Sequence, residues 1–95
     1  MELPAHPQPV EVFSADKSIV VAVDDWGYPT GVQLEENARR LGGTELATRI
    51  MGLYEMAKTI ALAVRNVEHH NVTNTWVPAW PTPTHVEILR AQLDF

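Results

Sequence analysis

Residues 44–67 read Thr-Glu-Leu-Ala-Thr-Arg-Ile-Met-Gly-Leu-Tyr-Glu-Met-Ala-Lys-Thr-Ile-Ala-Leu-Ala-Val-Arg-Asn-Val, and this stretch decides the fold. Leu46, Ile50, Leu53, Tyr54, Ala57, Ile60, Ala61, Val64 and Val67 recur at spacings of three and four, the period of a helix with one core-facing stripe. Thr44 offers a hydroxyl cap and Glu45 complements the helix dipole. A helix from here to His69 has about 25 residues and runs roughly 37 Å. Met51, Met56 and Leu62 lie off the main stripe, so the helix has more apolar surface than one neighbour can cover.

Upstream, the period changes to two. Val10-Glu11-Val12 alternates, Phe13 adds bulk, and Ser14 to Ser18 reads as a turn. Ile19-Val20-Val21-Ala22-Val23 is apolar throughout and β-branched at four of its positions, the mark of a central strand buried on both faces. Asp24-Asp25-Trp26-Gly27 makes the next turn, and Tyr28 to Leu34 a third strand that Pro29 restricts to its start or to an edge. Short connections make these strands an antiparallel meander. Strands of this size reach only about 17–24 Å, so the helix overhangs its sheet. Asn37 to Leu41 reads as a single helical turn that Gly42-Gly43 ends.

The two ends differ from this core. Residues 1–9 hold three prolines and form an extended arm. Residues 71–84 carry Trp76, Trp80 and three prolines, which predicts an irregular segment. Thr84 precedes Glu87 at capping-box spacing, and Val86, Leu89 and Leu93 share one face, so a short helix to about Asp94 follows.

Composition bounds the function. The chain has 95 residues, no cysteine, and a net charge of −5. A domain this small buries only about 60–65% of its unfolded surface, and it has neither disulfides nor a thiolate zinc site for support. Oligomerisation is the support that remains, and the overhanging helix points to a dimer. No apolar run has the length of a membrane span and no signal peptide is legible, so an intracellular, cytoplasmic protein is expected. The acidic balance argues against nucleic acid, because affinity for it comes largely from phosphate neutralisation. Residues 37–66 nevertheless hold Arg39, Arg40, Arg49, Lys58 and Arg65 against Glu45 and Glu55. These five cations are the candidate contacts for DNA or another anion.

Ser-x-Asp-x-x-Ile-Val-Val-x-Val-Asp-x-x-Gly-x-x-Thr-Gly-Val-x-Leu from Ser14, then Ala-x-Arg-Leu-Gly-x-x-Glu-Leu-Ala-x-x-Ile and an Ala-rich helix, resembles the YbaB/EbfC family of nucleoid-associated proteins. The likeness is closest to its actinobacterial members and to domains of type VII (ESX) secretion-associated proteins, and it covers residues 14–67. It implies a three-stranded antiparallel sheet backed by a long helix, a homodimer in which sheets and helices of two chains pack together, sequence-tolerant DNA binding and no catalysis. The chain departs from the family pattern in three respects. The family's long N-terminal helix is replaced by a Pro-rich arm, the charge is acidic, and the Trp-bearing tail has no counterpart.

Other constellations carry less. Glu68-His69-His70 with His6 and His85 invites a metal, but adjacent histidines on a helix cannot aim at one ion. Asp24-Asp25 is a turn pair, no Gly-x-Ser-x-Gly elbow exists, and Gly42-Gly43-Thr44 lacks a phosphate-loop lysine. Asn71-Val72-Thr73 matches a glycosylation acceptor, which has meaning only on a secretory route. The type VII export motif is absent, since Trp26 is followed directly by Gly27 and Tyr54 reaches Lys58 at its fourth position. Trp76 and Trp80 either fold back over the chain's own helix or the dimer mate, or dock another protein.

The expected protein is therefore α+β: an arm over 1–9, a β-β-β-α domain over 10–70 and a tail over 71–95. It is expected to form a homodimer through Met51, Tyr54, Met56 and Leu62 and to act without catalysis, cofactor or metal as a protein-interaction module, such as a cytosolic accessory of a type VII secretion system. DNA binding is the alternative, and a small hydrolytic or metal-dependent enzyme a distant one.

Overall fold

The computed structural model describes residues 3–95; the first two positions of the arm lie outside the described residues. Three strands, β1 (Val10–Phe13), β2 (Ile19–Val23) and β3 (Pro29–Leu34), form an antiparallel sheet in the order β1-β2-β3. A single turn, α1 (Glu36–Arg39), leads to the long helix α2 (Gly43–Thr73), and α3 (Pro83–Gln92) closes the tail. The meander and the long helix thus form as the residue periods predict.

Turn chemistry sets the strand pairing. At the first turn, Asp16 accepts from the Ser18 N–H (2.9 Å) and the Ser14 hydroxyl (3.0 Å). The Ser18 hydroxyl and N–H, with the Ser14 hydroxyl, hold the Asp16 carboxyl below its usual pKa. At the second turn, Asp24 Oδ1 accepts from the N–H groups of both Trp26 and Tyr28, each at 2.9 Å. Gly27 supplies the left-handed backbone this turn requires, with φ at 87°.

In the resulting register Val12 faces Val21, and Val21 faces Val32. Val10, Val12, Ile19, Val21 and Val23 all point to one face and are buried in the core with Leu53, Ala57, Ile60, Ala61 and Val64 of α2. The other face of β2 differs from expectation. Val20 and Ala22 are only half-buried, because among the described residues no second layer lies outside the sheet. Phe13, on that same outer face, is 50% exposed.

Helix α2 has 31 residues, longer than the periodicity suggests, and the molecule's long axis measures 47 Å. Nothing in Asn71-Val72-Thr73 breaks a helix, and Asn74 ends it in the left-handed conformation with its N–H on the His70 carbonyl. At the other end Gly42 occupies the cap position and Thr44 lies inside the first turn without capping. The third helix also starts earlier than expected. Thr82 and His85 form its capping box, in place of Thr84 and Glu87, because Pro83 suits the first helical position. The irregular segment therefore shrinks to residues 74–82.

The tail turns back on α2. Helix α3 packs against it, burying Val86, while Leu3 of the arm joins the edge of the same core. A Cβ at Gly52 would stand 3.0 Å from Phe95 Cζ, so the chain end lies directly on the helix backbone. No described helix is long and apolar enough to cross a membrane.

Candidate functional site

One flank of α2 stays open. The helix packs mainly on β1 and β2, and β3 is exposed along almost its whole length. Between α2 and the β2–β3 turn with the start of β3 lies a groove of about 1090 Å³, lined by Trp26, Tyr28, Pro29, Met51, Tyr54, Lys58, Leu62 and Trp80, among others. Met51 and Leu62 are eleven residues apart, about three turns, so they share a side of the rod with Tyr54 between them. Met51 is 71% exposed and Tyr28 68%, large apolar surfaces to leave in water. The Tyr54 hydroxyl donates to the Gly31 carbonyl at 2.7 Å and ties β3 to the helix across the groove floor. At the hairpin tip, a Cβ on Gly27 would come within 2.9 Å of Lys58, so only glycine lets the turn approach the helix this closely.

Three of the four expected interface residues thus meet in one place. Met56 does not: it sits on the opposite flank, 2% exposed in the core beside α3. Five residues from Met51 is nearly one and a half turns, which carries Met56 round to the tail side. Its burial is complete within a single chain.

The five cations do not form a stripe. Arg49 and Lys58 are separated by about two and a half turns and point to opposite flanks. Arg49 pairs with Glu45 at 2.7 Å and lies over the Phe95 ring, whereas Lys58 lines the groove. Arg65 is committed to the fold. Its Nε donates to the Asp25 carbonyl (2.8 Å), its Nη2 to the Asp25 carboxylate (2.9 Å), and its guanidinium stacks 3.4 Å from the Trp26 ring centroid. Only 16% of its side chain is exposed. Arg39 is exposed, and Arg40 is exposed with a loose contact to Glu36 at 3.9 Å.

The two tail tryptophans part company. Trp76 stacks on His70, with ring centroids 4.1 Å apart and planes within 10°, and remains 43% exposed. Trp80 stands edge-on to Trp26 at 6.0 Å and is half-buried. What holds the segment between them is Asn66, a residue that the periodicity did not single out. Asn66 is fully buried; its amide nitrogen donates to the carbonyls of Val77, Trp80 and Pro81, and its Oδ1 accepts from the Val77 N–H at 2.8 Å. An asparagine amid apolar helix positions was the available signal, because a buried amide must find partners.

The histidines are dispersed over these attachments. His6 approaches Glu68, His69 the Thr75 hydroxyl, and His85 caps α3. Among the described residues, no three metal-ligating side chains converge. Asp24 is used by its turn and Asp25 by Arg65. The most distinctive surface is therefore an apolar groove beside an uncovered strand, walled at one end by two indoles. No protein-family model, curated protein or solved structure matches the chain.

Proposed function

We propose that the chain is a non-enzymatic, dimeric protein-interaction module of YbaB-like architecture, with the open flank of α2 as its self-association face. One observation carries the reading: Met51, Tyr54 and Leu62 line a groove beside a strand that the chain's own helix leaves bare. Packed helices lie about 8–10 Å apart, so a second helix set beside α2 would cover β3. The same patch supplies both the missing helix flank and the slot for it, as a two-fold contact requires. The size of the exposed surface agrees. The chain exposes 6131 Å², whereas a compact monomer of 10.6 kDa exposes about 5,500 Å². That excess, on the order of 600 Å², approaches what each partner contributes to a standard interface.

DNA binding draws less support. The cations face different directions, Arg65 is spent on Asp25 and Trp26, and the net charge is −5. The likeness to type VII secretion-associated domains makes a cytosolic accessory role the natural extension, and gene neighbourhood tests it. For the dimer, light scattering on the eluting protein is expected to give a mass near twice 10.6 kDa at micromolar concentration. A stable monomer sinks the reading. A duplex shift at low salt that Arg39→Ala and Arg40→Ala abolish replaces it with the nucleoid alternative.

A further inference from the structure

We infer that the tail is a working part of the docking groove: Trp80, held in place by Asn66, forms the end wall against which a second copy of this chain seats. The inference rests on the dimer reading above and adds a component that lies outside the β-β-β-α core.

Three observations converge on it. Trp80 lines the same groove as Met51, Tyr54 and Leu62. It is only half-buried, so part of the indole still faces open space after its edge-on contact with Trp26. Its backbone is fixed from behind by the buried amide of Asn66, which also takes the carbonyls of Val77 and Pro81. A large, rigid aromatic presented from a fixed backbone loses little entropy when a partner covers it, the circumstance in which tryptophan becomes an interface anchor. The Arg65 guanidinium beneath Trp26 stiffens the neighbouring ring. Trp76, only four residues earlier, has no such position. It stacks on His70 and does not line the groove, so it fastens the helix end and leaves docking to Trp80.

Sedimentation equilibrium on the full chain tests the division. Trp80→Ala is expected to weaken the dimer by about tenfold or more, and Trp76→Ala by less than about threefold. Trp80→Phe, which keeps an apolar ring, should recover most of the loss, and far-UV circular dichroism verifies that each variant is folded. Two further proteins report on each indole while an aromatic ring stays at every position: one keeps Trp80 alone, through Trp26→Phe and Trp76→Phe, and the other keeps Trp76 alone, through Trp26→Phe and Trp80→Phe. Emission from Trp80 is expected to shift to the blue as concentration drives association, and emission from Trp76 to stay constant. If Met51→Lys breaks the dimer while Trp80→Ala leaves it intact and the Trp80 emission does not move, the inference is overturned and the dimer face stands. If the wild-type chain is monomeric, or Met51→Lys changes nothing, both fall.

Discussion

The two flanks of α2 carry similar apolar residues and meet opposite fates. On the tail side, Met56, Ala63 and Val86 are sealed in the core, and Gly52 lets Phe95 lie against the helix backbone. On the β3 side, Met51 projects into solvent, and Tyr54 and Leu62 line an open groove. The difference is one of supply. The chain covers the rod with α3 and one irregular strap, and only the end of the strap, at Trp80, reaches the open flank. What remains bare is the flank of α2 beside β3, the face proposed above for self-association.

Replacing the strap's anchor should have the largest effect on the chain's stability. Asn66→Asp removes the donors and sets a carboxylate against three carbonyls, so it is expected to cost about 3 kcal/mol or more. Urea unfolding measures it, and a loss under about 1 kcal/mol would mean that the strap is held elsewhere. Methionine truncation sharpens the comparison directly. Met56→Ala should cost about 2–4 kcal/mol of chain stability through its cavity, whereas Met51→Ala should fall within about 0.5 kcal/mol in the monomer and weaken association instead. Equal effects would erase the distinction between the flanks.

The hairpin tip joins the two sides. Arg65→Ala loses the Asp25 pairing and the Trp26 stack, and about 1–2 kcal/mol is expected from thermal unfolding. Arg65→Lys should recover little, since an ammonium keeps neither the fork nor the stacking plane. The smallest effect belongs to the far turn. Because hydrogen bonds lower the Asp16 pKa in the fold, its contribution is present above the ordinary aspartate value of about 3.9 and lost as pH falls through the lowered one. Asp16→Asn should remove that part of the acid sensitivity, seen as a smaller difference in Tm between pH 7 and pH 3.

Much of the fold was legible because it depends on local period. The β-branched run at 19–23, the turn at Asp24–Gly27 and the long apolar stripe each specify their element from neighbours in sequence. The site was legible only in part, because a helical pattern reports how wide the apolar surface is and not which neighbour arrives to cover it. Met51 and Met56 look alike for that reason, and only the path of residues 74–95 separates them. Arg65 likewise reads as a free cation until the hairpin tip brings Asp25 and Trp26 to it, forty residues away in sequence. The boundary errors have a simpler cause: Asn74 in its left-handed conformation and Pro83 at a helix start are capping choices that the apolar period does not contain.

The close approach at Gly27 reaches beyond this one chain. A side chain there would be strained by the positive φ and would meet the base of the Lys58 side chain, with Cγ at 2.9 Å and Cα at 3.3 Å. Where the rest of the surface drifts among descendants, a glycine here and an amide at position 66 are expected to persist. A pair of such fixed points, some forty residues apart and followed by an indole, would be a surer badge of ancestry for this architecture than any percentage of shared letters.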